Sequence, residues 1–155
     1  AWPDDPRYDR DLLEAGDRRN VIDRYRYWTM DAIVADLDAH RHPFHVAVEN
    51  WQHDMNIGSI VRSANAFGAA EVHIVGKRRW NRRGAMVTDR YQHVRHHEDV
   101  AALAAWAEAA GLPIIAVDNV PASGVGEITQ YGSTRSINAS AAAAGVMYEW
   151  CRRWA

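Results

Sequence analysis

Residues 44 to 75 read FHVAVENWQHDMNIGSIVRSANAFGAAEVHIV. Residues 44 to 49 have the texture of a strand, 56 to 68 of a helix and 71 to 75 of a second strand. In the helix Ile57, Ile60, Val61, Ala64 and Phe67 recur at helical spacing and should face a sheet. Ser59, Arg62 and Asn65, three apart, share the opposite side. Asp54 or Asn56 is placed to cap the helix start. Gly58 in the first turn lets another group approach the backbone N–H donors. Polar side chains beside a strand-to-helix turn stand where α/β folds bind ligands. On spacing alone, a capped surface helix with a solvated arginine is the commoner reading.

The same alternation continues outward. Residues 99 to 110 (DVAALAAWAEAA) form an alanine-rich helix ended by Gly111. Residues 113 to 117 (PIIAV) read as a third strand, of buried type. Ile128 begins another extended piece, and a long helix runs from Ile137 to Arg153. Strands alternating with helices specify an α/β fold, a mainly parallel sheet flanked by helices. Before it, residues 8 to 19 and 22 to 39 look helical, with Ile22, Tyr25, Trp28, Ile33 and Leu37 on one apolar side. His42-Pro43 ends the second stretch, because proline disfavours helix in the residue before it. Residues 1–42 are therefore expected to be a short N-terminal helical extension, and 43–155 the main domain.

The 155 residues suit one domain. With 48% hydrophobic and 25% charged residues the chain is globular rather than disordered. No apolar run reaches the roughly 18 residues of a membrane span, and nothing at the start reads as a signal peptide. The one cysteine, Cys151, excludes an internal disulfide. A cytoplasmic protein with no membrane partner is the expectation, its natural start lying before Ala1. The net charge of −2 conceals a segregation. Lys77, Arg78, Arg79, Arg82 and Arg83 put five cations into seven residues, leaving 13 basic against 20 acidic side chains elsewhere. A basic stretch on an acidic body points to one face that meets a polyanion. Trp80, inside that run, is placed to stack on a base.

A second polar loop, Gly132 to Ser140 (GSTRSINAS), runs into the last helix, with Ser136 as a candidate N-cap. Behind it Ile137, Ala141, Ala144, Tyr148 and Cys151 make an apolar stripe. Alone, it reads as a capped helix packed on the sheet or on a second subunit. The histidines at 40, 42, 45 and at 93, 96, 97 match no common zinc spacing, so no metal is expected and exposed or RNA-contacting histidines are favoured. The position of a dinucleotide fingerprint after the first strand holds Glu49-Asn50-Trp51-Gln52-His53, without glycine.

Together the two loops resemble the motifs of the SpoU (TrmH-like) RNA ribose 2′-O-methyltransferases. The first motif, Asn-x-Gly-Ser/Thr-x-x-Arg with a closing Phe-Gly, stands as Asn56, Gly58, Ser59, Arg62, Phe67 and Gly68. The third stands as Ile128, Ser136, Ile137, Asn138 and Ser140, with Tyr148-Glu149 further along. The resemblance covers residues 44 to 154. It implies a deep C-terminal trefoil knot and a homodimer with the site at its interface. It implies S-adenosylmethionine (AdoMet) as methyl donor, S-adenosylhomocysteine as product, and tRNA or rRNA as substrate. It makes Arg62 the catalytic arginine, supported by Asn56, with Ser136 and Asn138 lining the site. Val117, Ile128, Ser136 and Ile137 then border the adenosine. Lys77, Arg78, Arg79, Arg82, Arg83 and the extension are the candidate RNA contacts.

The family's second motif, a strand and a Gly-Glu-x-x-Gly-Leu-type loop, belongs between Asp118 and Ile128. Only nine residues, 119 to 127, stand there. Either the chain lacks the motif, and is a non-catalytic RNA-binding relative, or a segment is missing from the sequence between about Val120 and Gly126.

Overall fold

The computed structural model describes residues 3–51, 54–118, 125, 126, 128, 131, 133 and 137–155. The two long N-terminal helices expected from periodicity are shorter. Helix α1 spans Arg10–Ala15 and α2 spans Met30–Asp38. Asp9 and Thr29 cap them through their side-chain oxygens. Between them a buried carboxylate overrides the helical pattern. Asp17 accepts from the Arg19 guanidinium at 2.7 Å and from the backbone N–H of Arg19 at 2.9 Å and of Tyr27 at 2.8 Å. Those bonds fold the chain into a turn, with Tyr27 at φ +66°. Ile22 is consequently exposed, while Tyr25, Trp28 and Ile33 pack with Tyr91 in a separate small cluster.

Strands β1 (His42–Asn50), β2 (Ala69–Gly76) and β3 (Val94–His97) form a parallel sheet in the order β1-β2-β3. Pro43 lies inside β1 rather than ending a helix. It sits where the β1–β2 register shifts between His42 and His45, a place where its missing N–H removes no ladder bond. Helix α3 (Ile57–Ala66) links β1 to β2. Its Ile57, Val61 and Ala64 are fully buried against Val46, Val48, Val72 and Ile74 on one sheet face. Each fully buried aliphatic side chain stabilises the fold by about 1.5–3 kcal/mol.

Helix α4 (Val100–Ala109), capped by Asp99, follows β3. The sequence did not single out β3, because VRHH shows no alternation of apolar residues. The expected buried strand at 113–117 is corrected as well. Only β4 (Ala116–Val117) is extended, paired in parallel with β5 (Val125–Gly126). Ile114 and Ile115 are exposed, since no second strand covers them among the described residues. Helix α5 spans Ala139–Trp154. It turns Ala143, Met147 and Trp150 inward; of the expected stripe Ala144 and Cys151 are half-buried, Cys151 Sγ reaching Phe67 O at 3.5 Å, while Ala141, Ile137 and Tyr148 are exposed. The cause is ring packing: Trp150 lies 4.6 Å from Phe44 and 5.5 Å from His42. No helix among the described residues is long and apolar enough to cross a membrane.

Side-chain alternation puts His45, Glu71, His73, Arg95 and His97 on the other sheet face. Trp106 of α4 covers them, 4.2 Å from the His73 ring. His45 Nδ1 lies 3.0 Å from His73 Nε2, and His73 Nδ1 lies 2.9 Å from His97 Nε2. Burial pushes the His73 imidazole down to about 4, and lowers His45 and His97 in the same direction. The expectation of exposed histidines thus fails for this group, which is packed under a helix.

Hydrogen bonds from the Arg19 side chain, outweighing burial, hold the Asp17 carboxyl below its usual range. A depressed carboxyl stabilises the fold above the unfolded value near 3.9 and loses that contribution as pH falls through the folded value. Acid titration of unfolding free energy should therefore drop below pH 4, and Asp17→Asn should flatten that drop. The same variant should lose about 2–3 kcal/mol at pH 7, measured by urea denaturation.

Candidate active site

The site grows from the carboxyl ends of β1 and β2. Asn50, last in β1 and only 2% exposed, ties the two ends together. Its Nδ2 donates to the carbonyls of Lys77 at 2.6 Å and Arg79 at 2.9 Å, and its own carbonyl accepts from Lys77 N at 3.1 Å. The basic run is thus fixed to the sheet edge where α3 begins. Asn50 was not singled out from the sequence, since a polar residue ending a strand carries no distinguishing signal.

A close backbone approach completes the fixation. At Gly58 a Cβ would stand 2.8 Å from both Gly84 Cα and Ala85 N, and 2.9 Å from Asn81 O. At Gly84 a Cβ would meet Ser59 N at 2.9 Å. The group that Gly58 admits is therefore the chain's own loop at 81–85. Immediately after this contact Met86 (φ +49°) and Val87 (φ +71°) both turn left-handed, a costly conformation for side chains of that size.

Asn56 does not cap α3. It is already helical (φ −81°, ψ −21°) and makes no capping bond. Its Oδ1 instead accepts from Asn138 Nδ2 at 3.0 Å. Asn138, in turn, is the N-cap of α5, its Oδ1 accepting from Ser140 N at 2.9 Å. The cap expected at Ser136 lies outside the described residues. Two polar loops that are 82 positions apart are thus joined by one asparagine pair.

Arg62 points outward from α3, exposed and without a hydrogen bond or ion pair among the described residues. Ser59 and Asn65 beside it are half-buried, and Asn65 Nδ2 is a buried donor with no hydrogen-bond partner. Such a donor is costly unless a further acceptor reaches it. Lys77, Arg78, Arg79 and Arg83 are exposed and face no carboxylate among the described residues, whereas Arg82 pairs with Asp89 at 3.2 Å. Trp80, expected to stack on a base, is half-buried: one side packs against the core cluster, with the Arg82 guanidinium 5.4 Å from its ring centre. A cleft of about 260 Å³ opens here, lined by Arg78, Trp80, Arg82, Asp89, Arg95 and His96. Arg95 and His96 come from the unread strand β3. Of the residues expected to border a cofactor, Val117 and Ile137 keep 46% and 41% of their surface uncovered, and Ile128 is half-buried. None of the three joins the buried core.

The model of the SpoU rRNA Methylase family matches residues 43–127. The chain belongs to that family. The matched span holds the Asn56-to-Gly68 motif and the basic run, and ends before Ile128 and Asn138. Among solved structures, the chain is similar to the SpoU methyltransferase AviRb from Streptomyces viridochromogenes in complex with the cofactor AdoMet. The two are 24% identical with a TM-score of 0.59, over 76% of this chain and 60% of that one. It is also similar to the A. aeolicus TrmH/SpoU tRNA modifying enzyme, 17% identical with a TM-score of 0.58, over 80% of this chain and 83% of that one. At these identities the likeness is one of fold. The chain spans about three fifths of the length of AviRb. Comparison with curated protein sequences gives no match.

In this SpoU-family chain the Gly58–Gly84 contact should tolerate no side chain. Gly58→Ala should cost about 1–3 kcal/mol, because backbone atoms rather than flexible side chains must move. Denaturant midpoints would show that loss, and near-wild-type stability would contradict the close approach.

Proposed function

We propose that this chain transfers a methyl group from AdoMet to a ribose 2′-hydroxyl of tRNA or rRNA, releasing S-adenosylhomocysteine. The observation that carries the reading is the Asn56–Asn138 hydrogen bond. It sets the start of the Arg62 helix against the cap of the last helix, so residues from both family motifs meet at one edge. The basic run, held to that edge by Asn50 and by the glycine contact, supplies cations for phosphates.

The residues present suit AdoMet in their chemistry. Val117 and Ile137 leave apolar surface uncovered for an adenine ring, and Asn65 Nδ2 lacks an acceptor. AdoMet, when bound, supplies an electrophilic methyl group on a positively charged sulfur. A guanidinium stays protonated in proteins, which makes Arg62 a poor base. Its free guanidinium instead holds a phosphate beside the target ribose and stabilises the alkoxide that develops as the hydroxyl proton leaves to water. Asn56 and Asn138 orient each other at the mouth of the site; Ser136 is assigned to it by motif alone, lying outside the described residues. The same reading includes a C-terminal trefoil knot, a cytoplasmic location, and residues 1–42 as an extension that assists RNA binding. It includes a homodimer through the exposed side of α5, where Tyr148 is uncovered.

One observation favours a second reading, an RNA-binding relative without a cofactor loop. Seven residues, 118 to 124, separate β4 from β5, whereas a parallel pair needs a crossover of about a dozen. Calorimetric titration of AdoMet separates the two. Binding with competition by S-adenosylhomocysteine supports the enzyme; no heat and no competition leave the binding module.

Two substitutions test the roles. Arg62→Lys keeps the charge but loses the bidentate fork. Its rate of methyl transfer from labelled AdoMet should fall at least tenfold, and near-full activity would count against the role given to Arg62. Replacing Arg78, Arg79, Arg82 and Arg83 together by serine should weaken RNA binding and flatten its salt dependence, by about 0.7 in log–log slope per lost single-strand phosphate contact. Unchanged filter-binding curves would remove the loop from the RNA interface.

A further inference from the structure

The sheet face opposite α3 holds a cluster that methyl transfer does not use. We propose that His45, Glu71 and His73 form a zinc site beneath α4. One ligand atom from each lies within 4.8 Å of the other two. His45 Nδ1 is 3.0 Å from His73 Nε2, and His73 Nε2 is 3.8 Å from Glu71 Oε2. Tetrahedral zinc with bonds near 2.0–2.1 Å separates its ligands by about 3.3 Å, between those two values. The backbone provides the arrangement. Glu71 and His73 are two apart on β2 and share a face, and the parallel register sets His45 beside Glu71 on β1.

The surroundings match those of a metal-binding histidine. With Nε2 of His73 turned to the metal, its Nδ1–H donates to His97 Nε2 at 2.9 Å. A ligand imidazole held through its second nitrogen in this way is fixed in tautomer and orientation. The Arg95 guanidinium lies 3.1 Å from both Glu71 oxygens, fixing that carboxylate while leaving lone pairs on each. Trp106 closes the cluster from above, and half-buried His45 gives access from solvent. Two imidazoles and one carboxylate suit zinc rather than calcium or magnesium, with water as fourth ligand. The site would clamp β1 to β2 under α4, on the far side of the sheet from Arg62, and it stands whether or not the chain is a methyltransferase. Sequence spacing missed it because its ligands come from two strands.

The test uses the whole chain after dialysis against a chelator. Zinc titration by calorimetry should give one tight equivalent per chain, and cobalt(II) should give the intense visible absorption of a four-coordinate site. Zinc should raise the thermal midpoint. Glu71→Gln and His45→Ala should each weaken binding at least tenfold and remove the cobalt bands, with folding checked by circular dichroism. His97→Ala should weaken binding roughly tenfold or more without removing the bands. His93→Ala, at an exposed histidine elsewhere, should bind as the wild type does. Absence of binding to the wild-type chain overturns the proposal and leaves a hydrogen-bonded histidine row only. Binding unaffected by Glu71→Gln and His45→Ala also overturns it, as adventitious surface coordination.

Discussion

The face-to-face meeting of Gly58 and Gly84 is the constraint on which the rest of the site depends. Two backbones come within the distance that a single methyl group would occupy. That contact fixes the loop at 81–85 to the first turn of α3, and Asn50 fixes the start of the same loop to the strand ends. A run with five cations in seven residues would otherwise spread apart by its own repulsion and wander in solvent. Fixed at both ends, it becomes a charged wall beside the first turn of the helix that carries Arg62. Met86 and Val87 absorb the cost in backbone strain just beyond the contact, a usual place to find strain beside a functional element.

The sheet separates two chemistries. On one face Val46, Val48, Val72 and Ile74 pack dry against α3 and α5 and position the polar edge. On the other, imidazoles, a carboxylate and a guanidinium lie under Trp106. A parallel sheet normally covers both faces with apolar side chains. Here the second face is held by specific polar geometry, which is more demanding to satisfy and less tolerant of partial disruption.

Much of the α/β core was legible in the sequence, because β1, α3 and β2 each show a clean period of two or of 3.6 with matching residue types. The helix at 100–109 was legible too, through its alanine content. The misreadings share a cause in tertiary contacts that no local period records. Asp17 gathers four N–H donors from Arg19 and Tyr27 and breaks what looked like continuous helix. Strand β3 has polar residues where alternation would show apolar ones, since its inward partners are histidines. Residues 114 and 115 look like a buried strand but find no covering layer among the described residues. Motif spacing singled out Asn56, Gly58 and Arg62, and the structure gives Asn56 a bond to the other motif and Gly58 a close backbone contact. Asn50 and the Arg95–His96 side of the cleft were not legible, because their roles exist only after the strands have paired.

The asparagine pair also determines when the site exists. It bridges residues 82 positions apart at an exposed place, and a hydrogen bond of that kind is worth about 0.5–1.5 kcal/mol. That is too little to close so long a loop unaided. Closure falls to Met147, Ala143 and Trp150, which bury one side of α5 against the core. The joined edge is therefore a dependent of helix docking. If α5 lifts away, a local opening that leaves β1, β2 and β3 paired, Asn138 departs with it and the motif edge separates while most of the domain remains folded.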